Sequence, residues 1–455
     1  MTEIKKTLPG SDVSAWVELV PSFFKRGILG TFIHYTQKYG PCYKLKLPFN
    51  NELFVLSHPD AVQRILRDNS KNYPKGNVYD GARLLLGNGM VTSDGETWKK
   101  NRQLCQPSFN NEHISRYLLA MSACTDKLIG KWSKNIGQTI ELQQEMNDLT
   151  LEIVGATLFG QDLSDQSRMA GIAFSTALKG IGTRGPGNLS MPLWIPTPGN
   201  ISFYLARKRL KRLVKQIIDN FRASKSKQNE DSLLGSLMNA KDENGHGMSD
   251  AQLQDEVVTI YLAGFETTSM TLTWAFYVLH NEKEVVKRLR ADLAQLPEDN
   301  IPLEAMKKLS YTPLFLNELL RLYSPVWTIA RNILRPDTVC GYDIRPSQTN
   351  AFVLIAPYIT HRLTEFWGDN PEEFRPERFI SEENKTRHSF SYYPFSSGAR
   401  VCIGKHFSLF ETTLILAKLL RKFTLEIDNP ELIKFKAVGT LRPDRKIKAT
   451  IVEVN

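Results

Sequence analysis

The chain has 455 residues, 42% of them apolar and 23% charged, with a formal net charge of +10 and a pI near 9.2. That balance is the one expected of a soluble protein with a substantial core, and it excludes a chain too polar to bury one. Length alone allows about three domains, yet no Pro/Gly/Ser-rich linker or shift in composition divides the sequence, so one large domain over residues 1–455 is expected. The positive charge suits either plain solubility or an acidic partner.

Residues 1–34 form an N-terminal segment, MTEIKKTLPGSDVSAWVELVPSFFKRG and on, without an apolar run long enough for a signal peptide or membrane anchor. A cytoplasmic protein is therefore expected. Trp16, Val17, Leu19, Val20, Phe23 and Phe24 could touch a bilayer surface, although burial against the body is the more ordinary outcome. Five cysteines, at 42, 105, 124, 340 and 402, are scattered and odd in number, which fits a reducing compartment without disulfides.

The part from 35 to 72 is read as mainly β. CYKLKL (42–47) and ELFVLS (52–57) alternate around the turn PFNN and predict an antiparallel hairpin, and HPDAVQRILRDN reads as a helix. The remainder, 73–455, reads as a helical body. It opens with YPKGNVYDGARLLLGNGMVT (73–92), whose four glycines predict a loop; Leu84, Leu85, Leu86 and Met90 are its candidate pocket wall. In GETWKKNRQLCQPSF, Trp98 and Arg102 stand four apart on one helix face, a donor pair able to grip a carboxylate.

Helices continue over 112–180, and GIGTRGPG (180–187) then matches GxGxxG. This run follows a helix rather than a strand, is broken by Pro186 and has no acidic residue at the right distance, so a dinucleotide site is rejected and no nucleic-acid or nucleotide partner is expected. Residues 204–223 make an amphipathic helix with Leu210, Leu213, Val214, Ile217 and Phe221 inward and Arg207, Lys208, Lys211, Arg212 and Lys215 largely solvated. From Ser249 to about His280 a capping-box spacing, Ser249 and Gln252, introduces some twenty apolar residues. Glu266 in their middle and threonines at 259, 267, 268, 271 and 273 favour a long helix through the centre of a globular protein over a membrane span.

Glu318 and Arg321 stand three apart on a later helix, and FRPERF (374–379) supplies Arg378. Arg331 follows the apolar SPVWTIA, from which Val326 and Trp327 are candidate pocket residues; TNAFVLIAPYITH reads as strand then helix, and FTLEIDN and KATIVEV as late strands. Leu262, Phe265 and Val438 complete the candidate apolar wall.

PFSSGARVCIGKHFS (394–408) places Cys402 between Gly398 and Gly404 at the entrance of an amphipathic helix. The positive end of a helix dipole lowers a thiol pKa, so a thiolate is expected. Zinc needs three or four protein ligands and no CxxC pair or Cys/His cluster accompanies Cys402, whereas one thiolate suffices for haem. FSSGARVCIG resembles the haem-binding loop of the cytochrome P-450 family, FxxGxRxCxG, at all five fixed positions: Phe395, Gly398, Arg400, Cys402 and Gly404. AGFETT (263–268) resembles that family's oxygen-binding turn, AGx[D/E]T[T/S].

The resemblance implies the cytochrome P-450 fold, mainly α with a small β region, holding haem b, with Cys402 as axial iron ligand and Phe395 packed near the sulfur. It also implies that Trp98, Arg102, Arg331 and Arg400 bind haem propionates, and that Glu318, Arg321 and Arg378 form a buried ion network that locks the fold. By the same resemblance Ala263 and Gly264 would leave room over the ring, Thr267 would hold bound oxygen and a water, and Glu266 would relay protons from outside. The implied activity is insertion of one atom of O₂ into a C–H or C=C bond of a hydrophobic lipid, terpenoid or other natural product. No flavin or reductase segment follows residue 455, so electrons from NAD(P)H are expected through a separate ferredoxin or flavodoxin with its reductase, docked near Lys99, Lys100, Arg400 and Lys405. Two alternatives are a haem-thiolate isomerase or dehydratase and a non-catalytic haem sensor; intact Glu266 and Thr267 argue against the first.

Overall fold

The computed structural model describes residues 6–11, 17–47, 51–160, 171–174, 176–177, 180, 192–223, 232–241, 245–346 and 351–454. The glycine-rich run from 181 to 187 lies outside the described residues, as do Trp16 and the first five positions. A short strand β1 (Gly10–Ser11) precedes helix α1 (Leu19–Tyr39), which bends at Gly27, and the expected hairpin follows as β2 (Cys42–Leu47) and β3 (Asn51–Leu56). Its register pairs Cys42 with Leu56 and Leu47 with Asn51. The next helix is α2 (Pro59–Gln63), running on as one π-turn over Arg64–Asp68.

Residues 73–92 are only partly a loop. Asp80–Leu86 forms α3, with Leu85 buried in the helical core. The helical reading of the body is borne out by α4 (Gly95–Cys105), α5 (Asn111–Ser133), a short β4 (Thr139–Glu141), α6 (Leu142–Leu158), α7 (Pro198–Ala223) and α8 (Leu233–Asn239). On α7, Leu210, Leu213, Val214, Ile217 and Ile218 are buried while Lys208, Lys211, Arg212 and Lys215 are exposed, so its basic stripe is a solvated outer face.

Helix α9 (Asp250–Asn281) runs through the centre of the molecule, and nearly every side chain from Leu253 to Leu279 is buried. Ser249 Oγ accepts the Gln252 N–H at 3.2 Å; the Gln252 amide then reaches the Asn88 carbonyl instead of returning to Ser249. No described helix is long and apolar enough to cross a membrane. Beyond it lie α10 (Lys283–Leu293), α11 (Leu303–Met306), α12 (Thr312–Leu322), β5 (Ile329–Asn332), β6 (Asp337–Val339), β7 (Tyr342–Ile344) and β8 (Ala351–Ile355). The chain closes with α13 (Pro357–Thr360), α14 (Thr364–Trp367), α15 (Glu382–Thr386), α16 (Lys405–Lys422), β9 (Phe423–Ile427), β10 (Phe435–Val438), β11 (Thr440–Pro443) and β12 (Lys448–Glu453).

The main sheet has the order β1-β2-β3-β8-β5, with β3 and β8 parallel and β8 and β5 antiparallel. Both faces are covered. Cys42, Phe54, Leu56, Ile329 and Val353 enter one apolar cluster, while Tyr43, Leu53, Val55 and Phe352 enter another with α1 residues such as Phe32 and Tyr35. Alternate side chains thus leave on opposite sides, as the pleat requires. The β part does not end at residue 72, because two of the five strands of this sheet come from beyond residue 328.

Buried charges fasten the far side of the body. Glu318 accepts from Arg321 Nε and Nη2 at 2.7 and 2.8 Å and from the Arg375 N–H at 2.8 Å, with Arg378 Nε 3.5 Å away. Arg321 and Arg378 donate onward to the carbonyls of His361, Pro371, Glu373, Trp367 and Asn370. The structure therefore brings together the three residues that sequence spacing singled out.

Candidate active site

Cys402 lies three residues before α16, its N–H donating to the Phe395 carbonyl at 2.9 Å. Gly398, at φ 65°, makes the turn that precedes it, and a Cβ there would stand 2.2 Å from the Leu66 carbonyl oxygen. Only glycine fits both demands. Gly404 has no such restriction: its Cβ direction meets only the Phe109 ring edge at 3.9 Å, and the residue borders open cavity.

That cavity, about 330 Å³, is bounded by Cys402, Phe395, Gly404 and Phe407 on the α16 side and by Ala263, Gly264, Thr267 and Thr268 on the α9 side. Burial raises the Cys402 pKa, while a backbone hydrogen bond from Gly404 and the charges of Arg102 and Lys405 pull the other way. Burial by the surrounding protein thus works against the thiolate expected from helix entry, although the sulfur itself faces the cavity.

Cations gather on one rim. Trp98, Arg102, Arg331 and Arg400 all border the cavity. Arg400 stacks on Trp98, its guanidinium carbon 3.9 Å from the ring centroid, and donates to the Ser93 carbonyl and to Asp94 Oδ1 at 2.9 and 2.8 Å. Burial brings its pKa down to about 10. Arg102 donates to the Val401 carbonyl at 2.7 Å, and Arg331 reaches the Tyr79 hydroxyl at 3.3 Å. Sequence reasoning missed Lys75, Tyr79 and Asp94. Lys75 borders the cavity, is 8% exposed and donates to the Val91 carbonyl. Burial first, then repulsion from Arg331 and Arg400, pushes its ammonium well below its ordinary pKa. A lone lysine in a Pro/Gly-rich loop carries no sequence signal for this place.

On α9, Thr267 Oγ1 donates to the Ala263 carbonyl at 2.8 Å within the cavity wall. Glu266 is turned away: its Oε1 accepts from Thr440 Oγ1 at 2.8 Å and stands 2.6 Å from Arg442 Nη2 of β11. Its pKa is raised, burial outweighing Arg442 and the hydrogen bonds. Gly264 borders the cavity, but its missing Cβ points at Val154 Cγ2 of α6, 3.1 Å away, so the small residue also serves helix packing.

Of the candidate apolar wall, Met90 and Val326 border the cavity. Leu84, Leu85, Leu86, Leu262, Phe265, Trp327 and Val438 do not. Phe265 packs edge-on to Phe174 on the other side of α9, and Trp327 packs with Phe32 under the sheet, because periodicity identifies apolar faces without saying which neighbour each face meets. The walls are instead Val91, Leu158, Ile260, Leu316, Leu320 and Ile329 with Met90 and Val326. Around the opening beside the cysteine loop, Lys99 and Lys405 are exposed, whereas Arg400 is drawn inward by Asp94 and Trp98.

Comparison with known proteins places this arrangement. The chain is 32% identical over 375 residues to cyclooctat-9-en-7-ol 5-monooxygenase of Streptomyces melanosporofaciens, covering 82% of this chain and 80% of that protein. It is 28% identical over 400 residues to pentalenene oxygenase of Streptomyces avermitilis, with 87% and 86% covered. The fold superposes on the cytochrome P450DA heme domain with TM-score 0.87 at 26% identity, covering 99% of each chain. Retinoic acid-bound cyanobacterial CYP120A1 shares the fold at TM-score 0.85 and 21% identity, covering 98% and 99%. The model of the cytochrome P450 family matches residues 12–451, and the chain therefore belongs to that family of haem-dependent monooxygenases.

Proposed function

We propose that this protein hydroxylates or epoxidises a cyclic terpenoid, holding haem b in the cavity between α9 and α16 and receiving electrons from a separate acidic redox protein. The observation that carries this reading is the cavity's makeup. One thiol faces it, three guanidiniums, those of Arg102, Arg331 and Arg400, line it beside the Lys75 amine, only Arg400 of the three being paired with a carboxylate, Asp94, and the remaining wall is mostly apolar. A flat apolar ring with two carboxylates suits that charge excess, and the open Cβ direction of Gly404 leaves space for such a ring against the backbone.

Cys402 would be the iron ligand, and Trp98 and the cations would hold the propionates. Thiolate-bound haem iron supplies the activation of O₂ for oxygen insertion. The chain's own residues do the rest. Met90, Val91, Ile260, Leu320 and Val326 would bind and orient an apolar substrate and exclude water from it. Thr267 Oγ1, now bonded to the Ala263 carbonyl, offers a rotatable hydroxyl for proton delivery inside the cavity. Glu266 would supply that proton only after its carboxyl leaves Arg442 and Thr440.

Terpenoid chemistry is favoured by the named substrates of the two Streptomyces relatives and by the apolar walls. Exposed Lys99 and Lys405 suit a ferredoxin or flavodoxin surface. The test is the reduced, carbon monoxide-treated protein. A long-wavelength band that disappears in Cys402→Ser supports the ligand, and an unchanged band refutes it. A panel of cyclic terpenes should shift the haem absorption where straight-chain fatty acids do not; the reverse ranking overturns the substrate class.

A further inference from the structure

A second group of metal-binding side chains lies away from the cavity, where the start of β2, the start of α2 and the β6–β7 turn meet. His58 precedes α2, Asp60 is in its first turn, and Cys340 occupies the turn after β6 at φ 51°. None of the three borders the cavity. We propose that His58 Nδ1, an Asp60 carboxylate oxygen and Cys340 Sγ bind one zinc ion, with water completing a tetrahedron.

The geometry is already close to a coordination polyhedron. One ligand atom from each residue lies within 4.8 Å of the others. Cys340 Sγ is 3.9 Å from His58 Nδ1, and Nδ1 is 3.5 Å from Asp60 Oδ2. Zinc bonds of about 2.0–2.3 Å at tetrahedral angles put neighbouring ligands roughly 3.3–3.8 Å apart, so the His58–Cys340 and His58–Asp60 pairs already stand near coordination spacing, and the remaining pair, within 4.8 Å, closes by rotation of the exposed Asp60 side chain. The hydrogen bond that Nδ1 accepts from the Asp60 N–H is long, at 3.3 Å, and is the contact the metal displaces.

The surroundings also match a metal site. Asp60 Oδ1 is 3.2 Å from His388 Nε2, and His58 Nε2 is 3.6 Å from the Glu365 carboxylate. A carboxylate behind a ligating imidazole fixes the ring and strengthens it as a donor. The Cys42 sulfur hydrogen-bonds that of Cys340 and stands behind it. A thiolate, an imidazole and a carboxylate together select a borderline-soft divalent cation over calcium or magnesium. The Asp60 side chain is 61% exposed, so the ion has a way in from solvent. Bound there, zinc would tie the β6–β7 turn to α2, two segments separated by some 280 residues.

The test uses the haem-loaded full chain, stripped by chelator under reducing conditions and titrated with Zn²⁺ against a chromophoric competitor. The wild type should take up one equivalent without change in its haem spectrum, which excludes Cys402 as the binder. Cys340→Ser and Asp60→Asn should each weaken binding more than tenfold, and Glu365→Gln by about tenfold. Zinc should raise the melting temperature of the wild type and not of Cys340→Ser. Wild-type uptake no greater than that of Cys340→Ser, uptake unaffected by Asp60→Asn, or a Cys42–Cys340 disulfide in protein kept under reductant would each overturn the assignment.

Discussion

Replacing Glu318 by alanine removes the one carboxylate that faces two buried guanidiniums. Glu318 and Arg321 are fully buried and Arg378 is 3% exposed. Without Glu318, Arg321 loses both charge-assisted bonds, and the Arg375 N–H loses its acceptor. Breaking a buried pair on one side costs about 3–5 kcal/mol, because the stranded charge keeps its desolvation penalty. Unfolding entropy of about 2.1 cal/mol/K per residue gives roughly 1 kcal/mol/K for a chain of this length, so the melting temperature should drop by ~3–5 °C. The cost concentrates on residues 361–378, which Arg321 and Arg378 fasten through backbone carbonyls, so haem retention should fall with stability. Thermal unfolding and haem content of Glu318→Ala, measured beside Glu318→Ala/Arg321→Ala, give the readout. The double variant should recover part of the loss, since one stranded charge is gone. A single variant that melts with the wild type and keeps its full haem content refutes the reasoning.

Gly398→Ala should fold poorly, because its Cβ meets the Leu66 carbonyl in a left-handed turn, while Gly404→Ala should melt with the wild type and yet bind less haem; equal haem occupancy in both would remove the distinction. Gly264→Ala pushes a methyl against Val154 and should cost about 1–3 kcal/mol, much of it restored by Val154→Ala; denaturant unfolding of the pair decides whether packing or the cavity needs this glycine. Glu256 accepts the Met90 N–H, and burial raises its pKa to about 7 from an ordinary 4.5. The folded state then holds the proton more tightly, so the stability this group contributes is lost as pH rises from 4.5 through about 7. Melting temperatures of Glu256→Gln should fall less over that window than those of the wild type, and parallel curves would contradict the assignment.

The relation between sequence and structure differs from element to element. Cys402, Arg400 and Gly398 were legible because their constraints are local: a turn at positive φ, a thiol before a helix and a fixed spacing all occur within a few residues. The hairpin of β2 and β3 and the long helix α9 were legible for the same reason, through periods of two and of 3.6 along the chain. Lys75 was not, since its meaning comes from Arg331 and Arg400, some 250 residues and more away, and no local pattern marks it. Phe265 and Trp327 failed as cavity walls because an apolar side chain reads the same whether it faces a ligand or another helix.

By itself the sequence determined the family's chemistry-bearing loop, the helical class and the central helix, each a matter of neighbouring residues and their geometry. Tertiary structure alone decided three things. Strands β5 and β8 return to complete the N-terminal sheet, Glu266 turns from the cavity to Arg442, and burial raises the Cys402 pKa against the Gly404 hydrogen bond and the Arg102 and Lys405 charges. Those outcomes depend on which distant groups share a low-dielectric space, because desolvation and long-range pairing are fixed by three-dimensional packing and leave no local pattern along the chain.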